Sequence, residues 1–251
     1  LCARFDFTIE STAEAALRNY RAELSKASMA RLVEETYRTL GMRGAARGLE
    51  LMLEFGLLDT LLPHLSSHLL AELAQSGSLR TSQNLAALER AAGEGGATDH
   101  ALVLAALYLD VFLNGAARSG IATRELVNDL RLRGFARADT ELMRLILESF
   151  LHLLSPSRRT LRIARRPYFA EARAFYELMA PNYGAAPAEL ERLLSAPPAQ
   201  AAGLRPAGLN GRRRRRRGRH RHRRPSGADG GAAAPASLDA GPAGPTPKEP
   251  G

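Results

Sequence analysis

The stretch "HALVLAALYLDVFL" at residues 100–113 constrains the fold more than any other part of the chain. Its apolar residues fall on nearly every side of a 3.6-residue period, and Asp99 stands just before it as a cap. A helix without a polar face must be enclosed by other elements, so this one is expected at the centre of the molecule. Its longest uninterrupted apolar run, "ALVLAALYL", stops at Asp110. That run is about half the length needed to cross a bilayer, and no membrane association is expected.

The elements available to enclose it are also helical. "STAE" at 11–14 has the form of a capping box, followed by Ala16, Leu17, Tyr20 and Leu24 at helical spacing. A helix starting at Ser28 should stop at Gly41, and "AARGLELMLEF" should end at Gly56, the left-handed position that glycine favours. Pro63 marks a turn, and a more polar helical region covers 64–92 up to "GEGG". Thr123 can cap the next helix, and Asp139 or Thr140 the amphipathic "ELMRLILESFLHLL". Ser155-Pro156 opens another segment, and Pro167 suits the first turn of the helix containing "FAEARAFYELM". "RFDFTIE" at 4–10 is the one short candidate strand. The expected fold is all-α, with a first helical part at 1–63 and a helical body at 64–196. Residues 197–251, rich in Gly, Ala and Pro around an arginine run, are expected to be disordered.

Charge separates the tail from the body. Of the formal net charge of +9, residues 212–224 contribute +10 and 225–251 contribute −2, which leaves +1 for 1–211. The tail window holds Arg212, Arg213, Arg214, Arg215, Arg216, Arg217, Arg219, Arg221, Arg223 and Arg224, with no acid. Such a segment favours polyanions, because guanidinium groups pair with phosphates and stack on unpaired bases. A solubility or localisation tail enlarged by arginine-rich codon usage is the competing reading. Cys2 is the sole cysteine, which excludes an internal disulfide and a thiolate zinc cluster and fits a reducing, cytoplasmic setting.

The order of several segments is similar to one family. Cys2-Ala3-Arg4-Phe5-Asp6-Phe7 with Ile9, then "SMARLVEETYRTL", then "GLELMLEFGLLDTLLPHL", resemble consecutive stretches of class II nucleotidyltransferases. That family comprises the bacterial poly(A) polymerases and the CCA-adding enzymes. "PSRRTLRIARRPYFAEARAFYELM" and the arginine-rich tail resemble the poly(A) polymerase branch. The resemblance implies the neck, body and RNA-binding part of an enzyme that adds AMP from ATP to RNA 3′ ends. ATP and Mg²⁺ are implied for the complete enzyme, and no cofactor is expected in this chain. The family's Gly-Ser turn followed by Asp-x-Asp does not occur in the 251 residues. Leu1 is therefore expected to fall just past the nucleotide pocket, and the chain alone is expected to be inactive, with no catalytic residues of its own. Single-stranded RNA 3′ ends are the implied partner, with an RNA helicase or degradation complex as a further one. A CCA-adding fragment and a non-catalytic adaptor are the alternatives.

Four candidate constellations follow. Arg158, Arg159, Arg162, Arg165 and Arg166 form a second basic set; on a single helix Arg158, Arg162, Arg165 and Arg166 would fall in an i, i+4, i+7, i+8 stripe, with Leu161 and Ile163 left partly to packing, and that face could follow an RNA backbone. The resemblance makes Arg31, with Glu34 and Glu35, a neck clamp, although an exposed Arg31–Glu35 ion pair accounts for the same residues. His64 and His68 have a zinc-compatible spacing, but no third ligand is evident and they read as polar positions on a surface helix, so no metal site is assigned. Tyr168, Phe169, Phe175 and Tyr176 read as packing residues.

Overall fold

A computed structural model describes residues 2–93, 96, 98–116, 122–185 and 187–195. Among the described residues every regular element is helical. In chain order these are α1 (Cys2–Phe5), α2 (Ser11–Tyr20), a 3₁₀ segment (Arg21–Lys26), α3 (Met29–Leu40), α4 (Ala45–Glu54), α5 (Leu58–Leu61), α6 (Pro63–Ser76) and α7 (Arg80–Ala92). There follow α8 (His100–Ala116), α9 (Ala122–Leu132), α10 (Arg137–Leu154), α11 (Arg158–Ile163), α12 (Phe169–Met179), a 3₁₀ turn (Ala180–Tyr183) and α13 (Pro187–Ser195). No described helix is long and apolar enough to cross a membrane.

The all-apolar helix is α8, and it is central. Residues Val103 through Leu109 are fully buried, enclosed mainly by α7 and α10 with α3, α6 and α9 completing the shell. Its start is capped as expected, with the Ala101 N–H donating to Asp99 Oδ1 at 2.8 Å. One hydrophobic cluster runs from Val33 to Leu190. The expected division at 63/64 falls inside the first turn of α6, and core residues from both sides of it join that cluster.

Several local expectations are corrected. "RFDFTIE" contains no strand: its first two residues complete α1, and the chain then turns at Asp6 with φ +53. A lone strand here would have no ladder partner among the described residues, whereas α1 packs on α4. Ser11 is the first residue of α2 rather than its cap, and the Glu14 carboxylate is held by Arg18 at 2.9 Å instead of reaching back. Thr123 lies inside α9, and Asp139 and Thr140 lie inside α10, which begins after Ala136. The Thr140 hydroxyl instead donates to the carbonyls of Ala136 and Arg137 within the same helix. Pro167 precedes α12 by two residues. The polar region 64–92 is two helices, α6 and α7, separated where Gly77 takes a left-handed φ of +69.

Gly56 occupies the expected left-handed position after α4. Gly44, at the N-terminus of α4, is more demanding. Its φ is +84, its N–H donates to Glu89 Oε1 at 2.9 Å, and a Cβ there would lie 2.1 Å from the Ala3 carbonyl oxygen. Gly44→Ala is therefore expected to expel α1 from α4 as well as strain the backbone. The expected cost is about 1–3 kcal/mol, read as a lower urea midpoint at constant m-value.

Candidate nucleic-acid interface

The region around α11 is built by two small side chains. α10 ends at Leu154, and Ser155-Pro156 breaks the helix. Ser157 then caps α11: its Oγ accepts from the Arg159 N–H, and its own N–H donates to Thr160 Oγ1 at 2.9 Å. The Thr160 hydroxyl is fully buried and donates to the His152 carbonyl at 2.9 Å, tying α11 to the last turn of α10. With Thr160 facing inward, Arg158, Arg159 and Arg162 are left exposed on the outside of the short helix.

The single-helix stripe expected for 158–166 does not form. α11 ends at Ile163, and Arg165 and Arg166 lie in a tight turn, their N–H groups donating to Arg162 and Ile163 carbonyls at 3.3 and 2.8 Å. Pro167 is the reason, since a residue before proline is driven away from helical geometry. The turn nevertheless brings Arg166 back beside α11. Arg159, Arg162 and Arg166 together line a hollow of about 330 Å³, with His152, Tyr168 and the Arg144-paired Glu148 in its wall. Arg166 also borders a neighbouring hollow of about 500 Å³ that reaches Arg173. Arg158 and Arg165 are exposed but line neither.

Charge pairing distinguishes these arginines from those nearby. Arg144 is held by Glu141 and Glu148 at 2.6 and 2.7 Å, and Arg173 by Glu177 at 2.7 Å and by Glu191. Among the described residues, none of Arg158, Arg159, Arg162, Arg165 and Arg166 has a carboxylate within ion-pair distance. An incoming phosphate at Arg159, Arg162 or Arg166 would have no internal pair to displace. His152 in the same wall has its pKa pushed down, chiefly by burial and then by the Arg159 charge, with Glu148 opposing. The aromatic residues behave as packing groups: Phe175 and Tyr176 are buried, and Tyr168 and Phe169 are half-buried against the core.

At the other end of the chain, Arg31, Glu34 and Glu35 are all exposed on α3. The carboxylates pair with Arg38, at 3.2 Å from Glu34 and 3.0 Å from Glu35. An Arg31–Glu35 pair is not formed, because Arg38 reaches both acids from one turn on. Tyr37 on the opposite face stacks on His100 with centroids 3.8 Å apart and donates to Asp139 Oδ2 at 3.3 Å, fixing α3 against α8 and α10.

The apolar spacing of α2 does not lead to burial. None of its residues is buried, and Leu17, Tyr20, Leu24 and Leu57 line an almost wholly apolar hollow of about 550 Å³. Tyr20 is 69% exposed and Phe7 62%. Arg18 lies over the Phe55 ring at 5.0 Å and donates to the Glu54 carbonyl, which anchors α2 to the end of α4. Periodicity alone does not reveal this exposed apolar surface, since spacing shows that a face is apolar but not what covers it.

The tail arginines from Arg212 to Arg224 lie outside the described residues.

Comparison with known proteins adds one finding. Residues 6–69 match the family model described as "Probable RNA and SrmB- binding site of polymerase A". The matched segment runs from the turn at Asp6 into α6 and includes Arg31, Glu34, Glu35 and the apolar hollow of α2, but not Arg158–Arg166. No curated protein and no solved structure matches the chain. The all-α chain thus carries, in residues 6–69, an RNA-binding region related to that of poly(A) polymerase.

Proposed function

We propose that the chain is the RNA-gripping part of a bacterial poly(A) polymerase, holding a strand behind its 3′ end while AMP is added elsewhere. The observation that carries this reading is the match of residues 6–69 to the RNA-binding region of polymerase A. The arginine hollow of Arg159, Arg162 and Arg166 supports it from a second part of the fold, and the run Arg212–Arg224 supports it from the sequence. In the complete enzyme, ATP and Mg²⁺ would be held by a head bearing the Gly-Ser and Asp-x-Asp pattern that these 251 residues do not contain. The residues here would contribute position and grip: guanidinium groups on phosphates, with affinity set by counterion release rather than by base identity.

A protein partner is a second role, favoured by one observation. The description of the matched family also names SrmB, and the hollow at Leu17, Tyr20 and Leu24 offers a mainly apolar surface, with Arg21 as the one charged residue in its lining. We assign that apolar surface to protein contact, and RNA to the rest of the matched segment together with the arginine hollow.

The test uses the purified full chain, a labelled A-rich oligonucleotide, ATP and Mg²⁺. Salt-sensitive retention of the RNA without primer growth is expected. Growth of the primer would overturn the non-catalytic assignment, and failure to retain RNA at low salt would overturn the whole reading. Equal affinity for tRNA would favour a CCA-adding enzyme, and a pull-down of protein that survives nuclease would favour an adaptor. Replacing Arg159, Arg162 and Arg166 with glutamine should leave the melting temperature unchanged. The log–log salt dependence should become shallower by about 2, which is roughly 0.7 for each of three contacts.

A further inference from the structure

His68 belongs to a constellation that its spacing from His64 did not reveal. His64 is exposed, whereas His68 is half-buried one turn before Glu72 on α6, and both face Asp110 on α8. One ring nitrogen of His68 and one carboxylate oxygen from each of Glu72 and Asp110 lie within 4.8 Å of one another. Two of these residues carry polar atoms that are sealed from solvent yet have no hydrogen-bond partner: His68 Nε2 and Glu72 Oε2. Buried polar atoms are seldom left so, and two at one point indicate something that both can bind.

The remaining polar atoms of the cluster are occupied in a way that orients it. Glu72 Oε1 accepts the Arg80 N–H at 2.9 Å, so Oε2 is the oxygen left toward Asp110, where the two carboxylates can hold either an ion or a shared proton. Asp110, 3% exposed, receives Arg80 Nη1 on Oδ1 at 3.3 Å, and Arg80 is itself settled over the Tyr183 ring.

We propose that His68, Glu72 and Asp110 form a binding site for a divalent transition-metal ion of the zinc class, with His68 Nε2 and Glu72 Oε2 among the ligands and a water completing the shell. One imidazole and two carboxylates with an open position is a donor set that zinc accepts. Bonds of about 2.0–2.2 Å at tetrahedral angles place ligand atoms about 3.3–3.6 Å apart, so closing the site from separations within 4.8 Å requires a contraction of up to about 1.5 Å. The Arg80 charge limits the affinity but offsets only one of the two carboxylates. A bound ion would join α6, which holds the end of the matched segment 6–69, to the central helix α8.

The experiment strips the full chain with EDTA and titrates it with Zn²⁺, and separately with Co²⁺, alone. One equivalent should bind, with a rise in melting temperature and a tetrahedral Co²⁺ absorption spectrum. His68→Gln and Glu72→Gln should each keep the helical circular dichroism and lower affinity by at least about tenfold, a loss that changes outside the ligand shell alone can produce. His220→Ala with His222→Ala, in the arginine-rich tail, should leave uptake unchanged. Absence of stoichiometric uptake overturns the site and assigns the cluster to a proton shared between Glu72 and Asp110. Uptake that survives both ligand substitutions, or that is lost with the tail histidines, overturns it equally. RNA retention is not part of the readout, so this test stands apart from the RNA-binding reading.

Discussion

Replacing the ten arginines of 212–224 with serine should abolish most of the salt dependence of RNA binding. Each phosphate contact on a single strand contributes about −0.7 to the slope of log affinity against log salt. With all ten engaged, a fourfold rise in salt would weaken the parent chain by roughly 10⁴ from this segment alone, and the variant would lose that response. The body, with a formal charge of +1 over residues 1–211, cannot replace it by long-range attraction, although the hollow at α11 should retain weak binding. The measurement is affinity for one oligonucleotide at several salt concentrations. A slope that does not change on substitution would remove the tail from the interface and leave it as a solubility segment.

The largest effect on stability is expected at Phe150. Its ring is fully buried and meets Phe175, Tyr176 and Tyr183 edge-on at centroid distances of 6.0, 5.6 and 5.6 Å, joining α10 to α12 and to the turn after it. Phe150→Ala removes a large side chain from a rigid aromatic cage that cannot collapse around the gap. The expected loss is about 3–5 kcal/mol, or roughly 6–20 °C in melting temperature. Phe150→Leu should cost less than half as much. Because α11 hangs from the end of α10 through the Thr160–His152 hydrogen bond, the alanine variant should also lose RNA affinity at temperatures well below its melting point. A drop of less than about 3 °C would show that this cage does not hold the two helices together.

What could be read from the sequence depended on how local the deciding interaction was. α8 was legible because an apolar circumference has few structural solutions, and Asp99 capped it because no nearer residue competed. Gly56 followed its helix at the left-handed position a local backbone requirement gives it, and α3 stopped at Gly41 with an ordinary φ of −98. Capping assignments failed at Ser11, Thr123 and Asp139 or Thr140, where several capable residues adjoin and side-chain partners decide between them; Glu14, for example, was taken by Arg18. The basic residues of 158–166 were legible as a group, but their arrangement was not. The break at Pro167 separated Arg165 and Arg166 from α11, and the turn then returned only Arg166 to the hollow. The exposure of α2 and the meeting of His68 with Asp110 depend on how distant segments pack, which no short-range pattern encodes.

The enclosure of α8 has a consequence for how the chain is made. Its two principal walls are α7, which is synthesised before it, and α10, which is synthesised after it. Between the last residue of α8 and the end of α10 the ribosome must add a further stretch of chain, which takes roughly 2–8 s at ordinary elongation rates. During that interval one flank of the most oil-like segment in the protein stands uncovered in a crowded cell. Nascent chains halted after α8 has left the ribosome but before α10 has should therefore be captured by holding chaperones, and release should follow once α10 has emerged.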